Sequence, residues 1–161
     1  MNAKIFQILF YYYRLLHDGC EVTAHFPLAQ AIHESANFTS HVYEVNNNCL
    51  GMMAPQSRDT TANNRGGKGY ASYSSAMDGV SDYFFWLDAF GIKTDAQLEA
   101  HLKAGKYAAD KAYLTKVNRV AAELKAAGSY ISPTAILVGG TAAAVATAVA
   151  AGAGVAHLVN S

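Results

Sequence analysis

The sequence predicts a mainly α-helical domain with one small β-hairpin lobe, followed by a hydrophobic helix at the C-terminus. Three observations support this prediction. Apolar residues recur at helical spacing over most of the first 130 residues, a stretch rich in asparagine and glycine interrupts them, and no charged side chain follows Lys125. We therefore divide the chain into a folded domain, residues 1–130, and a hydrophobic tail, residues 131–161.

The first two helices are predicted from spacing and from the residues that end them. Residues 3–17 carry apolar side chains close to the i, i+3, i+4, i+7 pattern of one helix face, and Asp18-Gly19 ends that helix. Pro27 is favoured in a first helical turn, so a second helix is expected to begin there and to run through Glu34.

The stretch from residue 46 to residue 73 predicts the β-lobe. It contains two asparagine clusters and a Gly-Gly-Lys-Gly sequence, which are typical of turns and loops. Short apolar pieces at 50–53 and 70–73 flank the loop, so we expect two short strands paired as a hairpin.

Three further helices are predicted after the β-lobe. Ser75 and Asp78, three residues apart, resemble a capping box at the start of one helix. Thr94 and Gln97 repeat this signal for a short helix, and Asp110 caps a longer helix at the end of the domain.

The tail contains an apolar run at 135–159 whose only polar side chains are Thr141, Thr147 and His157. As a helix this run would be about 37 Å long, enough to cross a hydrocarbon core of about 30 Å. It predicts a membrane-spanning segment, and its small residues at i+4 spacing would allow homo-oligomers to form through the tail. A buried or disordered alanine-rich tail is the alternative.

Overall composition excludes several classes of protein. The length of 161 residues fits one domain, and 52% apolar with 15% charged residues excludes a disordered chain. Twelve basic residues balance twelve acidic ones, which argues against nucleic acid as the main partner. Cys20 and Cys49 are the only cysteines and offer neither a disulfide framework nor a zinc site. No cofactor is implied.

Glu34 is the strongest catalytic candidate. It ends a short, otherwise apolar helix, where partial shielding from water would raise the pKa of its carboxyl group. A carboxyl that stays protonated near neutral pH can protonate a sugar leaving group. Considered alone, a single glutamate at a helix end is more often a solvated or capping residue than a catalytic one. His33-Glu34 also begins the His-Glu-x-x-His zinc motif, but Asn37 occupies the second histidine position, so no metal site is expected.

Four segments between residues 22 and 125 match one known family in their order and their key residues. They are Ala-Gln-Ala-Ile-His-Glu-Ser at 29–35, Asn-Asn-Asn-Cys-Leu-Gly-Met at 46–52, one segment at 69–83 that contains two motifs, and Lys-Tyr-Ala-Ala-Asp-Lys-Ala-Tyr at 106–113. Together they resemble the glucosaminidase family of peptidoglycan hydrolases, which includes the muramidase-like domain of flagellar rod-assembly proteins. The resemblance implies a lysozyme-like fold, in which a helical lobe and a small β-lobe flank a glycan cleft.

The resemblance also implies roles for individual residues. Glu34 matches the essential general acid and Tyr107 matches a tyrosine that lines the cleft near it. Some family members place a second carboxylate on the β-hairpin, for which Asp59 is the candidate here.

Substrate binding is assigned on the same basis. Asn47 and Asn48 match the Asn-Asn motif that shapes the floor between the lobes, and Tyr70 and Tyr73 match the family's tyrosine-serine strand. Peptidoglycan glycan strands are the implied partner.

Several reactions remain open at this stage. Glu34 can act with Asp59, or with a water held by Tyr107, on the two faces of the glycosidic bond. Alternatively, the N-acetyl or 6-hydroxyl group of the substrate attacks and Glu34 serves as acid and then base; the 6-hydroxyl route would give a lytic transglycosylase. We favour a glucosaminidase over a lytic transglycosylase or a muramidase. An inactive glycan-binding or structural membrane protein is the non-enzymatic alternative.

The tail suggests a cellular setting. A small wall-cleaving domain with a membrane segment resembles the lytic enzymes of membrane-containing bacteriophages, and a tail-anchored bacterial enzyme fits equally well. The predicted location is therefore a membrane, either of a phage virion or of the bacterial cell envelope. Positive charges precede the tail and none follows it, which would leave the domain on the cytoplasmic side or inside a membrane-bounded particle.

Overall fold

A computed structural model describes residues 1–105 and 107–131, and this part of the chain is mainly helical. Six helices follow one another in it: α1 (Ala3–Leu15), α2 (His25–Glu34), α3 (His41–Asn46), α4 (Ala76–Ala89), α5 (Asp95–Lys103) and α6 (Tyr113–Ala126). The prediction of a mainly helical domain is confirmed.

Side-chain caps begin two of the helices that follow the β-lobe, α4 and α5. The Ser75 hydroxyl accepts a hydrogen bond from the backbone N–H of Asp78 at the start of α4. Thr94 and Gln97 form both halves of a capping box at the start of α5. Asp110 accepts a hydrogen bond from the N–H of Ala112, so it caps the turn that leads into α6, and the helix itself begins at Tyr113.

Helix α3 was not predicted from the sequence. The Ser40 hydroxyl caps it by accepting from the N–H of Tyr43, and Asn47 ends it in the left-handed conformation, with a φ of 53°. The helix has only six residues and none of them is buried, so no apolar periodicity marks it.

The predicted hairpin is reduced to a single antiparallel bridge between Met53 and Tyr70; the described residues contain no regular strand. The prediction of two paired strands was therefore too regular. The physical reason is the side chain of Asn48, which forms hydrogen bonds to backbone groups that would otherwise pair between two strands. Its amide donates to the carbonyls of Met52 and Ala71, and its oxygen accepts from the N–H of Met52.

The core lies between α1 and α4 on one side and between α2 and α6 on the other. Phe10 of α1 packs against Phe84 of α4 with ring centroids 4.8 Å apart, and both side chains are buried. Half of helix α2, from Pro27 to Ala31, is buried, and the helix packs against α1 and α6. The last residue of α2 is Glu34, which is half-buried and directly follows the buried stretch and two further half-buried residues.

The predicted apolar run at 135–159 lies outside the described residues, as does nearly all of the tail. None of the helices in the described part of the chain is long and apolar enough to span a membrane.

Candidate active site

Glu34 is half-buried at the last position of α2, immediately before a sharp reversal of the chain. Buried Ser35 stabilises this reversal: its hydroxyl accepts from the N–H of Phe38 at 2.7 Å, and its carbonyl accepts from the N–H of Ser40 at 2.8 Å. Residues 36–38 all have left-handed backbone conformations, with φ values of 48°, 58° and 64°. The helix therefore ends abruptly, and the carboxyl of Glu34 stands at its end.

A turn of the β-lobe lies directly against this carboxyl group. A side chain at Gly51 would place its Cβ 2.5 Å from Oε2 and 3.0 Å from Cδ of Glu34, closer than real atoms approach. Gly51 also has a φ of +64°, which glycine adopts without a steric penalty. Both observations show why glycine occupies this position: it lets the backbone approach the acid and shield it from water on that side.

Two side chains hold the turn around Gly51. Asn48 is buried, and its side-chain nitrogen donates to the carbonyl of Met52 at 2.8 Å. Its side-chain oxygen accepts from the backbone N–H of Met52 at 3.0 Å. The Tyr107 hydroxyl donates to the carbonyl of Leu50 at 2.5 Å. Asn48 thus holds the Gly51 turn in place, and its own hydrogen-bonding groups are engaged with the backbone rather than directed at a substrate.

Burial raises the pKa of Glu34 above its ordinary value. Two neighbours oppose this shift without cancelling it: the polar side chain of Tyr113, and the charge of His33. Glu34 therefore keeps its proton to a higher pH than a solvated glutamate, as a general acid requires.

Tyr107 lies beside the acid in a cluster of aromatic rings. It stacks on Tyr113 with centroids 5.5 Å apart, and its ring is perpendicular to that of Trp86 with centroids 5.0 Å apart. Burial raises the pKa of Tyr107 well above its ordinary value, and the charge of Glu34 contributes to that shift. Tyr107 is therefore neutral, and its proton is already donated to the Leu50 carbonyl, so it positions the turn against Glu34.

A second carboxylate, that of Asp82, belongs to a separate cluster and is completely buried. Arg58 binds it through both terminal nitrogens, at 2.8 and 2.6 Å, and the hydroxyls of Thr60 and Tyr73 donate to it at 2.6 and 2.8 Å. Burial alone would raise the pKa of Asp82, but these hydrogen bonds outweigh it and lower the pKa. This cluster ties the β-lobe to α4.

The structure does not bring all the predicted site residues together. Tyr73 is buried and committed to Asp82, and Asn47 donates its amide to the carbonyl of Tyr73 at 3.0 Å. Asp59 is exposed, and its carbonyl accepts a hydrogen bond from the Arg58 guanidinium. Tyr70, by contrast, is 47% exposed and is free to touch a ligand.

The sequence alone did not single out three residues that lie around Glu34 in the structure. Gly51 was noted only as part of a motif, although a glycine in an Asn-Asn-x-x-Gly turn is the signal of a close approach. Tyr113 and Gln30 were assigned no role; the position of Gln30 four residues before Glu34 places both on one helix face and could have indicated it. Within residues 1–105 and 107–131, no group of three His, Cys, Asp or Glu side chains is placed to bind a metal ion.

Comparison with known proteins identifies one family. The model of the family Glucosaminidase, described as mannosyl-glycoprotein endo-beta-N-acetylglucosaminidase, matches residues 12–126, which is most of the chain. No curated protein and no solved structure gives a significant match.

Proposed function

The chain belongs to the glucosaminidase family of peptidoglycan hydrolases, and we propose that it cleaves peptidoglycan glycan strands as an endo-β-N-acetylglucosaminidase with Glu34 as the general acid. The observation that carries this proposal is the environment of Glu34. Its carboxyl group is shielded by the Gly51 turn, and burial raises its pKa. A protonated carboxyl is what cleavage of a glycosidic bond needs first.

In the proposed reaction, Glu34 gives its proton to the glycosidic oxygen as the bond from that oxygen to the anomeric carbon breaks. The leaving sugar departs as an alcohol, and Glu34 is left as a carboxylate. That carboxylate then takes a proton from the incoming nucleophile, which restores the acid for the next cycle.

The second catalytic group is proposed to be the substrate itself. Asp59 is exposed, and Asp82 is held by Arg58 and three further donors, so neither is supported as the partner of Glu34. The N-acetyl oxygen of the sugar can attack the anomeric carbon, after which water, deprotonated by Glu34, opens the ring that forms. Attack by the 6-hydroxyl group would instead give an anhydro product, and product analysis separates the two routes.

Tyr70 is proposed to contact the glycan strand. It is paired across the antiparallel bridge with Met53, and both side chains are exposed, at 47% and 60%. Bridge partners lie side by side on one face, so together they offer an apolar surface on which a sugar ring can stack. This bridge begins two residues after Gly51, which places the surface close to the acid along the chain.

A membrane location is a further part of the proposal and rests on the sequence of residues 135–159. Fractionation of the producing cells, and of purified virions where a phage encodes the chain, tests it. We expect the full chain in the membrane fraction and a chain ending at residue 130 outside it. Equal distribution of the two chains would contradict a membrane role for the tail.

The activity is tested by mass spectrometry of the fragments that the full chain releases from purified peptidoglycan. We expect reducing N-acetylglucosamine ends, and a loss of about 10²–10⁴ in rate for Glu34→Gln. Asp59→Asn is the matched control and should retain the rate within a few-fold. Reducing N-acetylmuramic acid ends would indicate a muramidase, and anhydro ends a lytic transglycosylase. No release by the folded protein would favour the glycan-binding or structural alternative.

A further inference from the structure

Helix α1 presents apolar side chains to solvent along the face opposite its core contacts. Its buried side chains include Phe6 and Phe10, and Phe10 packs against α4. On the opposite face lie five side chains within about 100° of one another around the helix axis. Two of them are half-buried and three are exposed, with Leu15 at 66% and Leu16 at 62%. We call this set the outer stripe: Ile5, Ile8, Tyr12, Leu15 and Leu16.

The chain leaves the domain beside the same helix. The buried side chain of Gln7 donates through its nitrogen to the carbonyl of Ser129 at 3.0 Å, and its oxygen accepts from the N–H of Ile131 at 2.8 Å. Between these two bonds, Tyr130 packs edge-on against the ring of His25 with centroids 3.9 Å apart. This segment is therefore fixed to the domain, and its last residue is held by α1.

The apolar run at 135–159 starts a short distance from this point. Three residues lie between Ile131 and the run, and an extended chain advances at most about 3.6 Å per residue, so the run begins within about 14 Å of Ile131. Gln7 and Leu15 are eight residues apart on α1, which separates them by about 80° around the helix axis. The chain thus leaves along the flank of α1 that adjoins the outer stripe.

The charges around the outer stripe are positive. Residues 3–15 contain Lys4 and Arg14 and no acidic residue, and Lys4 is exposed beside the stripe. Lys125 adds a cation in the last turn of α6, shortly before the chain exit. A helix with an apolar face, flanking cations and an aromatic phenol such as that of Tyr12 suits the headgroup region of a bilayer that contains anionic lipid.

We propose that the outer stripe of α1 is a membrane-contact surface that rests on the anionic lipid bilayer into which the run at 135–159 inserts. The inference rests on the membrane location given under the proposed function and does not depend on glycan cleavage. The stripe adds to the tail and does not replace it, since a small apolar surface binds a bilayer weakly by itself. Its effect is to hold the domain, and with it Glu34, in one orientation toward the glycan strands.

Two other occupants fit the outer stripe less well. A second copy of the chain would need about 800 Å² on each partner for a standard interface, which five partly exposed side chains do not supply. The tail folded back on the domain is too long for the stripe. The stripe extends over residues 5–16, about 17 Å along the axis, whereas the run would be about 37 Å long as a helix.

The test measures lipid contact in the full-length chain reconstituted into vesicles of phosphatidylcholine and phosphatidylglycerol. Cys20→Ser removes the half-buried native thiol, and Cys49 is buried. An environment-sensitive fluorophore is then attached in separate chains at Leu16→Cys, at Ala148→Cys in the middle of the run, and at Thr115→Cys as the control. Thr115 is exposed near the start of α6, about 16 Å along that helix from Ala126, where α6 ends before the chain exit.

Lipids that carry a quencher should reduce the emission of the probes at positions 16 and 148, whereas iodide in the water should quench the probe at position 115. Lipid quenching at position 148 without any at position 16 would overturn the inference and leave the membrane location intact. Absence of lipid quenching at both positions would overturn the inference together with the membrane location. Neither result bears on the glycosidase activity, which product analysis tests separately.

The contribution of charge is tested in the chain labelled at position 16. Lys4→Glu should reduce lipid quenching in vesicles that contain phosphatidylglycerol, because it replaces an attraction to the headgroups by a repulsion. In vesicles of phosphatidylcholine alone the same substitution should leave the quenching unchanged. Equal quenching with and without Lys4→Glu in both kinds of vesicle would overturn the preference for anionic lipid.

Discussion

Asp82 and Glu34 are two shielded carboxylates of one small domain, and their environments act in opposite directions. Asp82 is the more deeply buried, yet its pKa is lowered because Arg58, Thr60 and Tyr73 donate to it. Glu34 is only half-buried, yet its pKa is raised. The comparison shows that the number and charge of the donors, rather than depth alone, decide whether a buried carboxyl ionises. One carboxylate is fit to stabilise the fold and the other to carry a proton.

The largest effect is expected from Asp82→Asn. It removes the charge opposite Arg58 and leaves a guanidinium that is mostly shielded from water, with 14% of its side chain exposed. Breaking a buried ion pair from one side costs about 3–5 kcal/mol. We expect the free energy of unfolding in urea to fall by that amount. Because the folded pKa of Asp82 is lowered, the difference from wild type should shrink as pH falls through that folded pKa.

The next effect concerns the approach of Gly51 to Glu34. Gly51→Ala should cost about 1–2 kcal/mol for the left-handed backbone and should also displace the Glu34 carboxyl. Misplacing a catalytic group lowers the rate about tenfold to a hundredfold. Gly19→Ala is the matched control, since Gly19 has a similar φ of +69° with nothing within 4 Å of the added Cβ. It should lose comparable stability and no activity; equal losses of activity in both variants would contradict the account.

Replacing the carboxylate of Glu34 by an amide should change the stability of the protein in the opposite direction from Asp82→Asn. The folded pKa of Glu34 is raised, so its contribution to stability is complete below the ordinary glutamate pKa and is lost as pH rises through the folded value. Glu34→Gln removes the buried charge and should be at least as stable as wild type at neutral pH. Thermal unfolding of both proteins from acid to neutral pH checks this. A loss of stability resembling that of Asp82→Asn would remove the distinction between the two carboxylates.

The smallest effect is expected in the turn after Glu34. Ala36 holds a φ of 48°, a conformation that is strained for any residue with a Cβ. Ala36→Gly should relieve this strain and stabilise the protein by about 0.5–1 kcal/mol after the greater chain entropy of glycine is subtracted. Chemical denaturation measures it. A destabilised variant would show that the turn is not strained at this residue.

Local chemistry explains which parts of the fold the sequence could predict. Ser75, Thr94 and Gln97 act within one helical turn, so their capping patterns can be read directly and are seen in the structure. The β-lobe differs because Asn48 replaces a strand ladder through a bond to Ala71, and sequence spacing does not reveal such a distant partner.

The same distinction applies to the site. Glu34 could be selected from its place at the end of an apolar helix and from the motif around it. The pairing of Arg58 with Asp82 spans 24 residues and that of Gln30 with Tyr113 spans 83, so only the packed structure shows them. Long-range polar contacts, rather than helix positions, are what the sequence left undetermined.

The most direct test of the central claim compares two substrates in Glu34→Gln. Peptidoglycan has a poor leaving group that needs a proton, whereas a dinitrophenyl glycoside of an N-acetylglucosamine-containing disaccharide leaves without one. If Glu34 is the general acid, the kcat/KM of the variant on peptidoglycan should fall by a factor of about 10²–10⁴. On the activated glycoside the loss in kcat/KM should be smaller than this by a factor of about ten or more. Equal losses on both substrates would contradict the assignment of Glu34 as the proton donor.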